Sequence, residues 1–135
     1  MAAGFKWAGS IDGSEPILRR FTVKASAVIS RGEMLNLESG EADAGATNDA
    51  AFLGPATEDV DNTVDGHTVE CIVNPGAIYA VVDANVRAAG DKLDLASGGL
   101  GLTTDSNHDF IVWADSTATE PTLVTWYGNH AFGWA

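Results

Sequence analysis

Gly32-Glu-Met-Leu-Asn-Leu-Glu-Ser-Gly40 recurs 58 residues later as Gly90-Asp-Lys-Leu-Asp-Leu-Ala-Ser-Gly98. Both copies read G-[DE]-x-L-[ND]-L-x-S-G. At the same offset and without a gap, Val23 matches Val81, Val28 matches Val86, Phe52 matches Phe110 and Ala56 matches Ala114. Further on, with a shift of about three, Thr68-Val-Glu-Cys-Ile-Val73 resembles Thr122-Leu-Val-Thr-Trp-Tyr127 in pattern. The L-x-L alternation has the period of a half-buried strand, so Leu35, Leu37, Leu93 and Leu95 are expected to face inward, and Asn36 and Asp94 to face water. The repeated unit is a strand, a glycine-punctuated bend, a hairpin arm, a small-residue loop, a strand entered at Phe and a closing strand. One such half cannot cover its own apolar face, so two are expected to pack into one sandwich or barrel. A hairpin recipe that arose twice would explain the nine-residue match, but not the Phe and Ala matches at constant offset.

Working outward, the other apolar segments are also short and rich in β-branched or aromatic residues: Phe21-Thr-Val-Lys24, Ile78-Tyr-Ala-Val-Val82 and Phe110-Ile-Val-Trp113. Asp65-Gly66, Asn74-Pro75-Gly76, Ser39-Gly40 and Ser97-Gly98-Gly99 supply turn chemistry between them, and Asn74-Pro75-Gly76 is expected to close a hairpin. No window sustains the spacing of a long amphipathic helix. The fold class is mainly β: a small single-domain β-barrel or sandwich. An extended N-terminal arm is expected over residues 1–17, and a β domain over 18–135 with repeat halves at 21–58 and 79–116.

The chain has 135 residues, one domain's worth, and its 31 Leu, Ile, Val and Phe exceed the fifth below which disorder becomes the better reading. Seven Lys and Arg against 19 Asp and Glu leave a net charge of −12, which repels phosphate and anionic lipid. Neither nucleic acid nor a membrane is therefore expected as a partner, and nothing near the N-terminus reads as an export signal or a membrane span. Five of the seven cations (Lys6, Arg19, Arg20, Lys24, Arg31) precede Gly32, whereas residues 32–86 hold eleven carboxylates and no cation. Two opposed faces, one docking and one solvated, fit this distribution. So does an ordinary acidic surface.

Enzyme constellations fail on spacing. Asp61-Asn-Thr-Val-Asp65-Gly66 lacks the closing Glu of an EF-hand, since Ile72 stands there; an irregular calcium site at Asp59, Asp61 and Asp65 stays open beside the reading as a solvated acidic loop. Gly98-Gly-Leu-Gly-Leu-Thr103 has no Lys and no second copy. His67, His108 and His130 show no ligand spacing, and each reads as a turn or surface residue. Cys71, the only cysteine, lies mid-strand on the side of Val69 and Val73 and reads as a buried small hydrophobe. No catalytic residue, metal or cofactor is expected. Trp126, Tyr127, His130, Phe132 and Trp134 crowd one end and Phe5 and Trp7 the other, which suggests anchoring surfaces.

The segments Arg31-Gly-Glu-Met-Leu-Asn-Leu37, Ala89-Gly-Asp-Lys-Leu-Asp-Leu95 and Phe52-Leu-Gly-Pro55 resemble the capsid decoration, or cement, proteins of tailed bacteriophages, over roughly residues 18 to 115. The resemblance implies a compact β-tulip-like domain, often trimeric, on the outside of an expanded shell. The partners it implies are the major capsid protein and further copies of the chain; the location is the outer surface of the virion, after synthesis in the host cytoplasm. The aromatic C-terminus and the doubled hairpin unit depart from that family's pattern. Capsid or subunit contacts are expected at Phe5, Lys6, Trp7, Arg19, Arg20, Trp126, Tyr127, Phe132 and Trp134. The alternative is a carbohydrate- or receptor-binding module in which Trp113, Trp126 and Tyr127 form a stacking platform.

Overall fold

The computed structural model describes residues 3–44, 51–104, 109–128 and 130–131, and these are strands, turns and loops without a helix. The strands run β1 (Phe5–Ser10), β2 (Leu18–Thr22), β3 (Val28–Ile29), β4 (Met34–Glu38), β5 (Glu41–Asp43), β6 (Phe52–Pro55), β7 (Val60–Asp61), β8 (Thr68–Ile72), β9 (Ala77–Val81), β10 (Lys92–Leu95), β11 (Leu102–Thr103), β12 (Phe110–Val112) and β13 (Thr122–Trp126). The main sheet is antiparallel, in the order β1-β9-β13-β12-β10-β11; smaller sheets are β5-β4-β6, β2-β8 and β3-β7. This is a mainly β, sandwich-like domain whose sheets do not close into a barrel.

The hydrogen bonds of the first half recur in the second. The bridge Ala56↔Cys71 sets β8 beside the end of β6, so the first half runs β2, β8, β6, β4, β5. The second half runs β9, β13, β12, β10, β11. The Glu33 N–H donates to the Ser30 carbonyl and the Asp91 N–H to the Ala88 carbonyl, each at 3.0 Å. Each turn is closed by its own carboxylate, which accepts from the Ser30 N–H at 3.1 Å (Glu33) and from the Ala88 N–H at 2.9 Å (Asp91). The Arg31 N–H donates to Asp59 as the Ala89 N–H does to Asp115.

Strands β6 and β12 correspond at an offset of 56 rather than 58. Leu35 stands opposite Gly54 where Leu93 stands opposite Phe110, and Met34 opposite Pro55 where Lys92 stands opposite Ile111. Phe110 thus occupies the place of Gly54, and the ungapped match of Phe52 with Phe110 is two residues out of structural register. A slip of two preserves the face of the sheet, which is why the pattern survived it.

The core has two parts. Val23, Ile29, Leu35, Leu53, Val60, Val69, Cys71 and neighbours pack within the first half. The larger cluster joins Tyr79, Val81, Leu93, Phe110, Val112, Val124 and Trp126 of the second half to Phe5 and to Met34, Phe52 and Ile72 of the first. Trp126 is its hub, with ring centroids of Phe110, Phe52 and Tyr79 at 4.9, 5.6 and 6.2 Å. Each such aromatic pair adds about 0.5–1.5 kcal/mol to what burial alone contributes.

Two expectations are corrected. Asp94 does not face water: it is fully buried, and its Oδ1 accepts from the Asp109 N–H while Asp109 Oδ2 accepts from the Leu95 N–H, both at 3.1 Å. The carboxylates act as fixed acceptors for strand-end amides, a role that water would otherwise fill. Asn74-Pro75-Gly76 does not close a hairpin either, because β8 pairs with β2 while β9 pairs with β1 and β13. The turn carries the chain from one sheet to another. The buried Asn74 holds the strand-free segment before β2, accepting from the Ile17 N–H at 2.6 Å and donating to the Glu15 carbonyl at 2.9 Å.

Candidate docking surface

Alternation along the six-stranded sheet sorts its residues. Tyr79, Val81, Phe110, Val112, Val124 and Trp126 face the core. Ala80, Ile111, Leu123, Trp113 and Tyr127 fall on the opposite side, together with Lys6 of β1 and Lys92 of β10. Trp113 and Tyr127 are each 47 % exposed. The Trp113 N–H donates to the Leu123 carbonyl at 2.8 Å and the Tyr127 N–H to the Asp109 carbonyl at 2.9 Å. The two residues therefore sit at opposite ends of the β12–β13 ladder, their backbones four steps or about 13 Å apart. The Lys92 ammonium lies 4.6 Å from the centroid of the Tyr127 ring, within cation–π range.

The residues expected as contacts divide among several places. Phe5 is 2 % exposed and packs on Tyr79 and Phe110, so within the segment expected to be an arm it anchors an edge strand to the core. Trp7 is half-buried against the same cluster, and Lys6 between them is exposed. Trp126 is 3 % exposed, which removes it from any stacking platform with Trp113 and Tyr127. Arg19 and Arg20 lie on β2, outside the six-stranded sheet; Arg20 reaches Glu58 at 3.0 Å, and the Arg19 guanidinium lies 5.4 Å from the Phe21 ring centroid. Phe132, Trp134 and His108 lie outside the described residues.

Other candidates for chemistry are structural. Cys71 is buried, and burial pushes its thiol up to about 12, so it holds its proton at neutral pH. His130 is buried edge-on to Trp126 at 5.0 Å, and burial lowers its imidazole to about 4; the reading of this residue as a surface histidine is corrected accordingly. His67 is exposed, and its backbone N–H donates to Asn62 Oδ1. Asp59 accepts from the Arg31 N–H at 2.6 Å and Asp61 from the Thr63 N–H at 3.0 Å. Among the described residues no group of three or more His, Cys, Asp or Glu converges on a point where a metal ion would sit.

No protein-family model matches the chain, and no curated protein does. Among solved structures, the chain is similar to the crystal structure of the head fiber gp8.5 N base in bacteriophage phi29, with a TM-score of 0.56 at 18 % identity, over 82 % of this chain and 94 % of that one. At that identity the likeness is one of fold.

Proposed function

We propose that the chain is a non-enzymatic structural protein of a bacteriophage head, which binds the outside of the assembled capsid at capsomer junctions and stabilises it as a homotrimer. The observation that carries this reading is the fold shared with a phage head fiber base over 82 % of this chain and 94 % of that one. The sequence resemblance to capsid decoration proteins supports it by a separate route. No bond-making is required: copies that bind the assembled shell and not its dissociated parts stabilise the shell by mass action.

Lys6, Trp7, Arg19, Arg20 and Tyr127 are the proposed contacts among the described residues; Phe132 and Trp134, outside the described residues, complete the proposed set. Phe5 and Trp126 support those contacts from within the core. The test is to sediment purified protein with expanded and unexpanded heads and count bound copies, with native mass measurement for the trimer. Saturable binding to heads is expected; binding to neither form overturns the proposal. A sugar-binding module would use Trp113 and Tyr127 on the exposed sheet face. A glycan-array signal abolished by Trp113→Ala would favour that reading, and attachment to capsids predicts none.

A further inference from the structure

Sorting the seven cations by their partners among the described residues leaves two uncommitted. Arg20 is paired with Glu58, Lys24 with Glu38 at 2.7 Å and Asp43 at 3.5 Å, and Arg87 with Asp83 at 2.6 Å. Arg19 and Lys92 lie over the rings of Phe21 and Tyr127. Lys6 and Arg31 are exposed, have no ion pair or ring contact among the described residues, and line one cavity of about 330 Å³ together with Ala3, Phe5, Gly32 and Asp59.

The cavity is built on a rigid seam. The Phe5 N–H donates to the Gly32 carbonyl at 2.8 Å. Gly4 (φ 107°) and Gly32 (φ 83°) meet backbone to backbone, so that a Cβ on Gly4 would come within 3.0 Å of the Gly32 backbone. Asp59, the carboxylate at the rim, already accepts from the Arg31 N–H. Two unpaired cations beside an apolar wall fit a ligand that brings a carboxylate on an apolar stem. A polyphosphate or an anionic bilayer would bring many charges toward a chain of net charge −12, whereas one or two carboxylates on a peptide meet that repulsion least.

We infer that the Lys6–Arg31 cavity is a docking site for an acidic, Glu- or Asp-bearing extended segment of a partner protein. The inference rests on the reading that the protein works by attachment to another protein, and it is tested separately from capsid binding. The probe is an acetylated, amidated hexapeptide with two Glu among Ala and Leu, titrated into the full chain and followed by amide chemical shifts, with its Gln counterpart and inorganic phosphate as controls. Localised, saturable shifts at Phe5, Lys6, Arg31 and Gly32 are expected with the Glu-bearing peptide alone. Lys6→Gln with Arg31→Gln should weaken binding at least tenfold while leaving near-ultraviolet circular dichroism unchanged. Absence of localised shifts, an equal response to phosphate, or binding indifferent to the double substitution would overturn the assignment. If heads bind while the peptide does not, the docking site is wrong and the attachment reading stands; the reverse result separates them the other way.

Discussion

Gly54 is the position least able to change. Its φ is 139°, and a Cβ built there would lie 1.7 Å from the Ile72 carbonyl oxygen, backbone that cannot step aside without parting β6 from β8. Gly54→Ala should cost about 3 kcal/mol or more in urea unfolding, whereas Gly40→Ala, with open space above it, should cost about 1 kcal/mol from its positive φ alone. The buried Asp94 supports a second substitution: Asp94→Ala orphans the Asp109 amide and should cost about 1–3 kcal/mol. His130 predicts a pH dependence. It stays neutral in the fold down to about pH 4 but takes a proton near 6.5 in the unfolded chain, so between those values the unfolded state binds more protons. Its contribution should therefore fall as pH drops from 6.5 toward 4 and stay level below that. Urea midpoints at pH 7 and 4.5 should converge more in His130→Gln than in the parent protein. Cys71 was legible as a buried residue because its neighbours two positions away are valines. Gly54 and Asp94 were not, because a close carbonyl and a partner amide 15 residues away leave no trace in local pattern.

At the scale of elements, the repeated G-[DE] was visible in sequence but its role was not. The acidic residue folds back over the turn to take up the Ser30 or Ala88 amide, and the same geometry serves both halves. Glu33→Ala and Asp91→Ala should each cost about 1 kcal/mol, and the double variant should show the sum within about 0.5 kcal/mol, since each carboxylate caps its own turn. Strong coupling in a double-mutant cycle would mean the turns are not independent copies. The segments read as strands became strands, with Phe21-Thr-Val-Lys24 so only at Phe21 and Thr22, because alternation and β-branching act locally. The pairing of β8 and β9 with different sheets was missed because Asn74-Pro75-Gly76 has hairpin composition, and what separates the strands is the distant partner each finds. The short strands β3, β7 and β11 carry too few residues for a period to show.

For the whole molecule, the larger core is the constraint. Its cluster needs Met34, Phe52 and Ile72 from the first half, so residues 77–135 expressed alone should lack the sharp near-ultraviolet signal and cooperative unfolding of the intact chain. Attachment to heads should weaken as salt rises from about 50 to 500 mM if Lys6, Arg19, Arg20 and Arg31 face the shell; binding indifferent to salt would assign the holding to the exposed aromatics. The charge asymmetry behind that prediction was legible in the sequence. The convergence of Lys6 and Arg31 was not, since it depends on Gly4 crossing Gly32. The matching hairpin tips also differ in surroundings. Gly99 in the second half is wedged against Glu33, and its carbonyl accepts from the Met34 N–H, while Ser39 and Gly40 (φ 51° and 82°) turn in open solvent. The first tip is therefore the place to splice a foreign epitope. If the chain coats a capsid in many copies, as proposed, a cargo loop spliced at this exposed tip would make it a display scaffold.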